Sequence, residues 1–136
     1  MSLNNMIYIS LVRNKTGPKK FTVEIPVPGH DHRTRIVHFG QQGASDYTIH
    51  KNPLRMEQYV RRHGGKPTKF TDPDKVHQTM LKRVKSTKEN WSKDGIYTAG
   101  FWSRWLLWSQ PSLRGAIRYM NEHVLPRGYK IVLKNK

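Results

Sequence analysis

The chain has no cysteine and few acidic residues. Without cysteine among its 136 residues, disulfides, thiolate-ligated zinc sites and cysteine nucleophiles are excluded, which fits synthesis in a reducing compartment. Nine Asp and Glu stand against twenty-five Lys and Arg, so few carboxylates remain free of ion pairs. The acids form no closely spaced set of the kind that holds two metal ions. We therefore expect no enzyme activity and no cofactor.

Long hydrophobic runs are also missing. The longest strongly apolar stretch, residues 101–108, is interrupted by Ser103 and Arg104 and falls far short of the roughly 20 residues that a spanning helix needs. At the N-terminus, Asn4 and Asn5 interrupt what could otherwise be an apolar segment, and no basic region precedes it. The sequence predicts neither a transmembrane segment nor a secretory signal.

What the chain has in excess is positive charge. Its formal net charge is +16, and both halves of the sequence are strongly basic, so no detachable basic tail explains the sum. Such a charge repels itself unless the protein meets a negative partner, namely nucleic acid, an anionic membrane or an acidic protein. Hydrophobic residues at 35% and aromatics at 10% are more than a disordered basic protein carries. We expect one folded domain over residues 1–136.

Residues 6–39 are rich in strand patterns. Segments 6–12, 21–25 and 34–39 are β-branched and aromatic, and turn-forming glycine and proline separate them. They predict a small antiparallel sheet of three strands. Segment 129–133 is a further β-like run that either closes the sheet as a fourth strand or forms a frayed tail.

Four helices are predicted between residues 52 and 125. Asn52-Pro53 and Asp72-Pro73 each combine an N-cap with a first-turn proline. A short aromatic helix covers 99–108, and a last helix begins at Pro111. Apolar residues recur at helical spacing in each: Met56, Tyr59, Val60; Val76, Met80, Val84; Trp102, Trp105, Leu106; Leu113, Ile117, Met120, Val124. The class is therefore α+β, a small sheet packed against four helices.

Three polar clusters are candidates for catalysis or metal binding, but each also has a structural explanation. Asp72 and Asp74 lie in a predicted first helical turn, where negative charge offsets the helix dipole. His30 and His32 could chelate a metal, but a loop after Pro28-Gly29 is equally well served by polar residues in water. We favour the structural interpretation of both clusters.

The third cluster is Asp46, Tyr47, His50 and Lys51. It could be an acid and base pair, but that chemistry needs convergent geometry that linear spacing does not show. The preceding residues 43–46 look like a turn or helix-capping stretch, which predicts that Tyr47 and Ile49 pack inward. We favour capping, and a nucleic-acid enzyme remains only a remote alternative.

Basic and aromatic positions supply the candidate contact residues. Tryptophan near arginine suits stacking on single-stranded bases, but a small domain also needs large apolar side chains in its core. We favour core packing for Trp102 and Trp105, and partial exposure for Trp108. The predicted contacts to a partner or to nucleic acid are basic: Arg55, Arg61, Arg62, Lys82, Arg83, Lys85, Arg104, Arg114 and Arg118. No motif for reading base sequence accompanies them.

Several short motifs occur together between residues 34 and 118. They are IVHFG (36–40), GASDYTIHK (43–51), RHG (62–64), GFWSRWLLW (100–108) and PSL (111–113), with Arg55 and Tyr59. In this combination the chain resembles a family of small basic uncharacterised proteins of large double-stranded DNA viruses. The family has no assigned activity, so the resemblance implies a setting and no catalytic residues.

That setting leads to two hypotheses. The resemblance implies a protein of the virion, present in the host cytoplasm during assembly. In the first hypothesis it is a minor capsid or cement protein that binds major or other minor capsid proteins within a multi-subunit assembly. In the second it neutralises phosphates of double-stranded DNA without reading bases. We favour the first, because arginine and aromatic residues occur together as they do in protein interfaces.

Overall fold

A computed structural model describes residues 6–29, 33–67, 76–80 and 85–134. It shows a small α+β domain with strands β1 (Ile7–Arg13), β2 (Lys19–Pro26), β3 (Thr34–Gln41) and β4 (Tyr129–Lys134). The helices are α1 (Tyr47–His50), α2 (Pro53–Arg62), α3 (Val76–Met80), α4 (Ala99–Trp102) and α5 (Leu113–Tyr119). The predicted class is confirmed.

The four strands form one sheet in the order β3-β2-β1-β4. β1 pairs antiparallel with β2, and β2 with β3, as predicted. The 129–133 segment is indeed a fourth strand, but it runs parallel to β1, with Ile9 opposite Ile131. Because the chain between β3 and β4 passes through the helices, the last strand is not held to the antiparallel direction of a hairpin. The sheet is therefore mixed.

The helices cover one face of the sheet. Side chains alternate along each strand, so Leu11, Val23 and Phe39 are buried beneath the helices. Tyr8 and Ile36 point to the opposite face and are 56% and 58% exposed. This open face of the sheet stays in contact with solvent.

Helix α2 follows its sequence signals closely. The Asn52 side chain accepts a hydrogen bond from the Leu54 amide at 3.0 Å, and proline occupies the first turn. Met56, Tyr59 and Val60 are buried as predicted. In α3, Val76 and Met80 are also buried, whereas the predicted start at Asp72-Pro73 and the position of Val84 lie outside the described residues.

The aromatic segment packs in the core. It starts as α4 and widens into a π-helical turn, Ser103–Leu107, instead of continuing as one α-helix. Both buried indoles have partners: Trp102 donates to the Ile96 carbonyl at 2.7 Å, and Trp105 to the Trp91 carbonyl at 2.8 Å. Because a buried N–H without a partner is costly, these bonds help to select this packing. The core prediction for Trp102 and Trp105 is confirmed.

Helix α5 also ends in a π-helical turn, Met120–Val124. Its N-cap is Ser112, one residue after the predicted start at Pro111, and the Ser112 hydroxyl accepts from the Gly115 amide at 3.0 Å. Met120 and Val124 are buried, and Leu113 and Ile117 pack against the core from partly buried positions. The predicted apolar stripe is therefore present.

Two short elements were not predicted. One is a 3₁₀-helix, Lys93–Tyr97, that lies in the expected polar connection. The other is α1, where the Asp46 carboxylate accepts from the Thr48 amide at 2.9 Å, which agrees with the capping interpretation. Tyr47 is buried, but Ile49 is 60% exposed, so its predicted burial is wrong. Residues two apart on a helix point in nearly opposite directions, so they cannot both face the core.

Candidate functional site

The basic surface is extensive. Apart from Lys20 and Arg104, every Lys and Arg in the described ranges is exposed. The predicted contacts Arg55, Arg61 and Arg62 lie on α2, and the other exposed ones that the structure describes are Lys85, Arg114 and Arg118. Lys82 and Arg83 lie outside the described residues. Among the exposed cations that the structure describes, only Arg61 has a carboxylate within ion-pair distance, that of Glu57 at 3.6 Å.

Arg104 is not a surface contact, and that prediction is wrong. Its side chain is completely buried. The guanidinium donates from Nη1 to the Trp108 carbonyl at 3.0 Å and from Nη2 to the Met80 carbonyl at 2.7 Å. It lies 4.4 Å from the centre of the Trp105 ring, a distance at which a cation is attracted to the ring face. Arg104 therefore connects α3 to the aromatic segment.

Burial changes the protonation equilibrium of Arg104. Desolvation lowers its pKa to about 10, and the nearby Tyr59 and Tyr119 partly oppose that shift. The group thus remains protonated near neutral pH. Its positive charge is stabilised by carbonyl oxygens and aromatic rings, since no carboxylate in the described part of the chain pairs with it.

A pocket of about 430 Å³ opens where the ends of β2 and β3 meet α2 and α4. Its aromatic wall is formed by Tyr59 and Trp108, and Ser103 and Gly100 also contribute to the lining. Apart from Tyr59, the charged or titratable side chains that line it are Lys19, Lys20, Asp46, Arg62, His63 and Glu89. They come from segments far apart in the sequence, so the pocket exists only in the folded chain.

An ion pair occupies one side of this pocket. The Lys20 ammonium lies 2.5 Å from Asp46 Oδ2, and the two side chains are 8% and 3% exposed. The other carboxylate oxygen, Oδ1, accepts from the amide and hydroxyl of Thr48. Asp46 thus has two roles: it caps α1, and it neutralises the charge of a buried lysine. These contacts account for Asp46 without acid and base chemistry, as the capping interpretation predicts.

Glu89 occupies another side of the pocket. Its Oε1 accepts from the Trp91 indole at 2.8 Å, and its Oε2 lies 3.2 Å from His63 Nδ1. Gly100 leaves room for this carboxylate, because a Cβ at that position would lie 2.8 Å from the Glu89 carboxyl carbon. Both carboxylate oxygens therefore have partners.

Tyr59 lies between two rings. Its ring stacks on Trp108 at 4.4 Å, nearly parallel, and on His63 at 4.1 Å between centroids. Burial raises the pKa of Tyr59, the negative charge of Glu89 adds to this, and Arg104, Arg62 and a hydrogen bond with Ser103 oppose it. Trp108 remains partly exposed, as predicted.

Alkaline pH is expected to destabilise the fold through its tyrosines. Burial raises the pKa of Tyr47, Tyr59, Tyr119 and Tyr129, so the folded state favours neutral phenols. Their stabilising contribution is complete below the unfolded-state pKa of about 10 and is lost as the pH rises above it. Circular dichroism and phenolate absorbance, followed together, should show that these four tyrosines ionise as the chain unfolds.

A Tyr59→Phe variant provides the control for this pH dependence. It keeps the stacked ring but removes one ionisable phenol, so its stability should fall less steeply above pH ~10. The prediction would be contradicted if all tyrosines formed phenolates near their ordinary pKa while the chain stayed folded.

The other candidates for catalysis or metal binding are His50 and the pair His30 and His32. His50 Nδ1 accepts from the Asn52 amide at 3.0 Å, which places it in the local turn. Desolvation and Arg55 lower the pKa of His50, while Asp46 opposes them. Within the described ranges, no three His, Asp or Glu side chains are grouped to hold a metal ion; His30, Asp31 and His32 lie outside those ranges.

Comparison with known proteins gives one match. Residues 9–63 match the model of a family of unknown function (DUF5754), which spans β1 to α2 and ends at His63 in the pocket. No curated protein and no solved structure gave a significant match. Across the helices that the structure describes, none has the length and apolar character needed to cross a membrane.

Sequence reasoning found part of this pocket. It selected Arg62 as a contact and Tyr59 as a core residue, but it missed Lys20, Glu89 and Ser103. The available signal was the spacing of the motifs in 36–40, 43–51, 62–64 and 100–108, each of which contributes a pocket residue. Glu89 lies in none of these motifs, so the sequence alone offered no reason to select it.

Proposed function

We propose that this protein is a non-enzymatic structural component of a large DNA virus particle. In this role it is a minor capsid or cement-type protein that binds acidic protein partners through its basic surface. The observation that carries the proposal is that all described Lys and Arg residues except Lys20 and Arg104 are exposed, and that among the exposed ones only Arg61 has a carboxylate partner. The viral setting itself rests on the motif resemblance.

The exterior is basic because Lys and Arg far outnumber Asp and Glu, and two of the acidic groups have partners inside the fold. Asp46 is buried against Lys20, and Glu89 turns its two oxygens toward His63 and Trp91. These carboxylates are therefore occupied inside the fold and do little to balance the exposed cations. Association with an acidic surface would relieve the repulsion among those cations and favour a defined orientation.

Two features favour a protein partner over the genome. The basic residues lie on separate elements of a compact domain, including α2 and α5. In addition, the open face of the sheet presents Tyr8 and Ile36. A protein interface uses exposed apolar and aromatic side chains of this kind, whereas sequence-independent DNA binding depends mainly on phosphate contacts.

A genome-associated role is the second candidate function. Arg55 and Arg62 on α2, and Arg114 and Arg118 on α5, are exposed and have no carboxylate partner in the described ranges. Phosphate groups would satisfy such arginines as well as carboxylates do. This hypothesis makes a different prediction about salt, because each phosphate contact releases counterions.

Binding to random duplex DNA across a salt series tests the two candidates. For a protein that does not bind the genome, we expect a dissociation constant weaker than about 1 μM near physiological salt, since binding through phosphate contacts alone is weak there. An acidic protein surface should bind more tightly under the same conditions. Tight DNA binding with a steep salt slope would reject the cement role.

Particle composition gives an independent measurement. The protein should be detected by mass spectrometry in purified particles, in the same amount per particle with or without genome. Its loss from genome-free particles would instead support the genome-associated role. Its absence from both would reject a structural role in the virion.

A further inference from the structure

The pocket between β2, β3, α2 and α4 carries unbalanced positive charge. Its two carboxylates are occupied, Asp46 by Lys20 and Glu89 by His63 and Trp91. Lys19 and Arg62 also line the pocket, are exposed, and have no carboxylate partner among the described residues. Lys88 adds to the charge nearby, because its ammonium donates to the Arg62 carbonyl at 3.1 Å.

We propose that this pocket binds a carboxylate side chain from an acidic segment of a protein partner, with Arg62 and Lys19 as the residues that recognise it. The inference rests on the proposed function and assigns the acidic partner a defined point of contact. A guanidinium binds carboxylates through two parallel hydrogen bonds. Lys19, which also lines a pocket on the open face of the sheet, supplies a second positive charge.

The lining suits a side chain with an apolar stem. Alongside the charged groups it includes Ala44, Ala99, Leu107 and the partly exposed Trp108. The methylene groups of Glu or Asp could contact these surfaces while the carboxylate remains near Arg62. The faces of the Tyr59 ring are covered by Trp108 and His63, so no ring of a ligand can stack on it.

Duplex DNA fits this pocket less well than an acidic peptide. Its phosphates lie along a stiff helix with one charge per roughly 1.7 Å, and such a surface cannot place a single anion inside a concave site. A flexible peptide can direct one carboxylate into the pocket and keep its other charges on the basic exterior.

The test compares two double variants that remove the same charge. Lys19→Ala/Arg62→Ala removes the two exposed cations of the pocket, and Lys15→Ala/Arg55→Ala removes two exposed cations that do not line it. The probe is a terminally blocked hexaglutamate peptide, and calorimetry and tryptophan fluorescence report its binding. Trp91, Trp102 and Trp105 are buried, so Trp108 should dominate any quenching by the peptide.

We expect the pocket variant to weaken peptide binding at least about tenfold, which corresponds to about 1.4 kcal/mol. The matched control should change affinity less than about threefold, because exposed charges of this kind contribute little individually. Circular dichroism should show that both variants remain folded, since all four side chains are exposed.

Other outcomes distinguish the inference from the proposed function. If both variants lose affinity for the peptide equally, the pocket inference is wrong and acidic partners bind a diffuse basic surface instead. If short duplex DNA displaces the peptide and loses affinity selectively in the pocket variant, the pocket binds phosphate and the inference is wrong. If the unaltered protein fails to bind hexaglutamate even at low salt, both the pocket and the acidic-partner function are rejected.

Discussion

Replacing Asp46 with asparagine is expected to destabilise the fold by about 3–5 kcal/mol, the range for a buried ion pair that loses one partner. Lys20 would keep its charge in a position where its side chain is only 8% exposed. An asparagine oxygen can still accept from the Thr48 amide, so Asp46→Asn removes the charge and preserves the helix cap. Urea unfolding, monitored by circular dichroism, measures the loss.

A double-mutant cycle separates the charge from the packing. Lys20→Met/Asp46→Asn removes both charges and leaves an apolar chain of similar length, so it should cost less than Asp46→Asn alone. The coupling energy then measures the cost of an unpaired buried lysine. A double variant that costs the sum of the single variants would show that the two side chains do not interact.

Replacing Arg104 with alanine is expected to have an effect of similar size, about 3–5 kcal/mol. The change leaves a cavity beside Trp105 and removes the donors to the carbonyls of Met80 and Trp108. Since α3 is joined to the aromatic segment by one of these bonds, Val76 and Met80 should lose protection from hydrogen exchange first. Thermal and urea unfolding measure the overall loss.

Arg118 supplies the matched control for Arg104. It is an exposed arginine on α5, so Arg118→Ala should change stability by no more than about 0.5 kcal/mol. Arg104→Lys should be intermediate, because one ammonium cannot reproduce the fixed fork of a guanidinium. Equal effects of Arg104→Ala and Arg118→Ala would mean that Arg104 is accessible to solvent, as the sequence first suggested.

The elements that the sequence predicted well have local determinants. Asn52-Pro53 marks the start of α2, and the helical spacing of Met56, Tyr59 and Val60 identifies its buried side. Alternation likewise identifies the three strands of the antiparallel part of the sheet. Each signal operates within one or two turns or one strand, where backbone geometry determines which side chains share a face.

The errors occur where distant segments meet. The direction of β4 depends on how the helical region returns the chain to β1. Arg104 lies in an aromatic run whose surroundings on both sides are supplied by Trp91, Met80 and other remote residues. Ile49 lies on the solvent side because Tyr47, two residues earlier on α1, is on the side that packs in the core. None of these properties follows from the composition of the segment itself.

The sequence by itself determined the strongly basic character, the lack of thiol chemistry, the α+β class and the capped start of α2. Those properties depend on counts of residues and on interactions between near neighbours. Only the tertiary structure decided that Arg104 is buried, that Lys20 and Asp46 form an ion pair, and that Lys19 and Arg62 meet at one pocket. These outcomes depend on burial and on distances between segments far apart in the chain, and both arise only when the sheet and helices pack together.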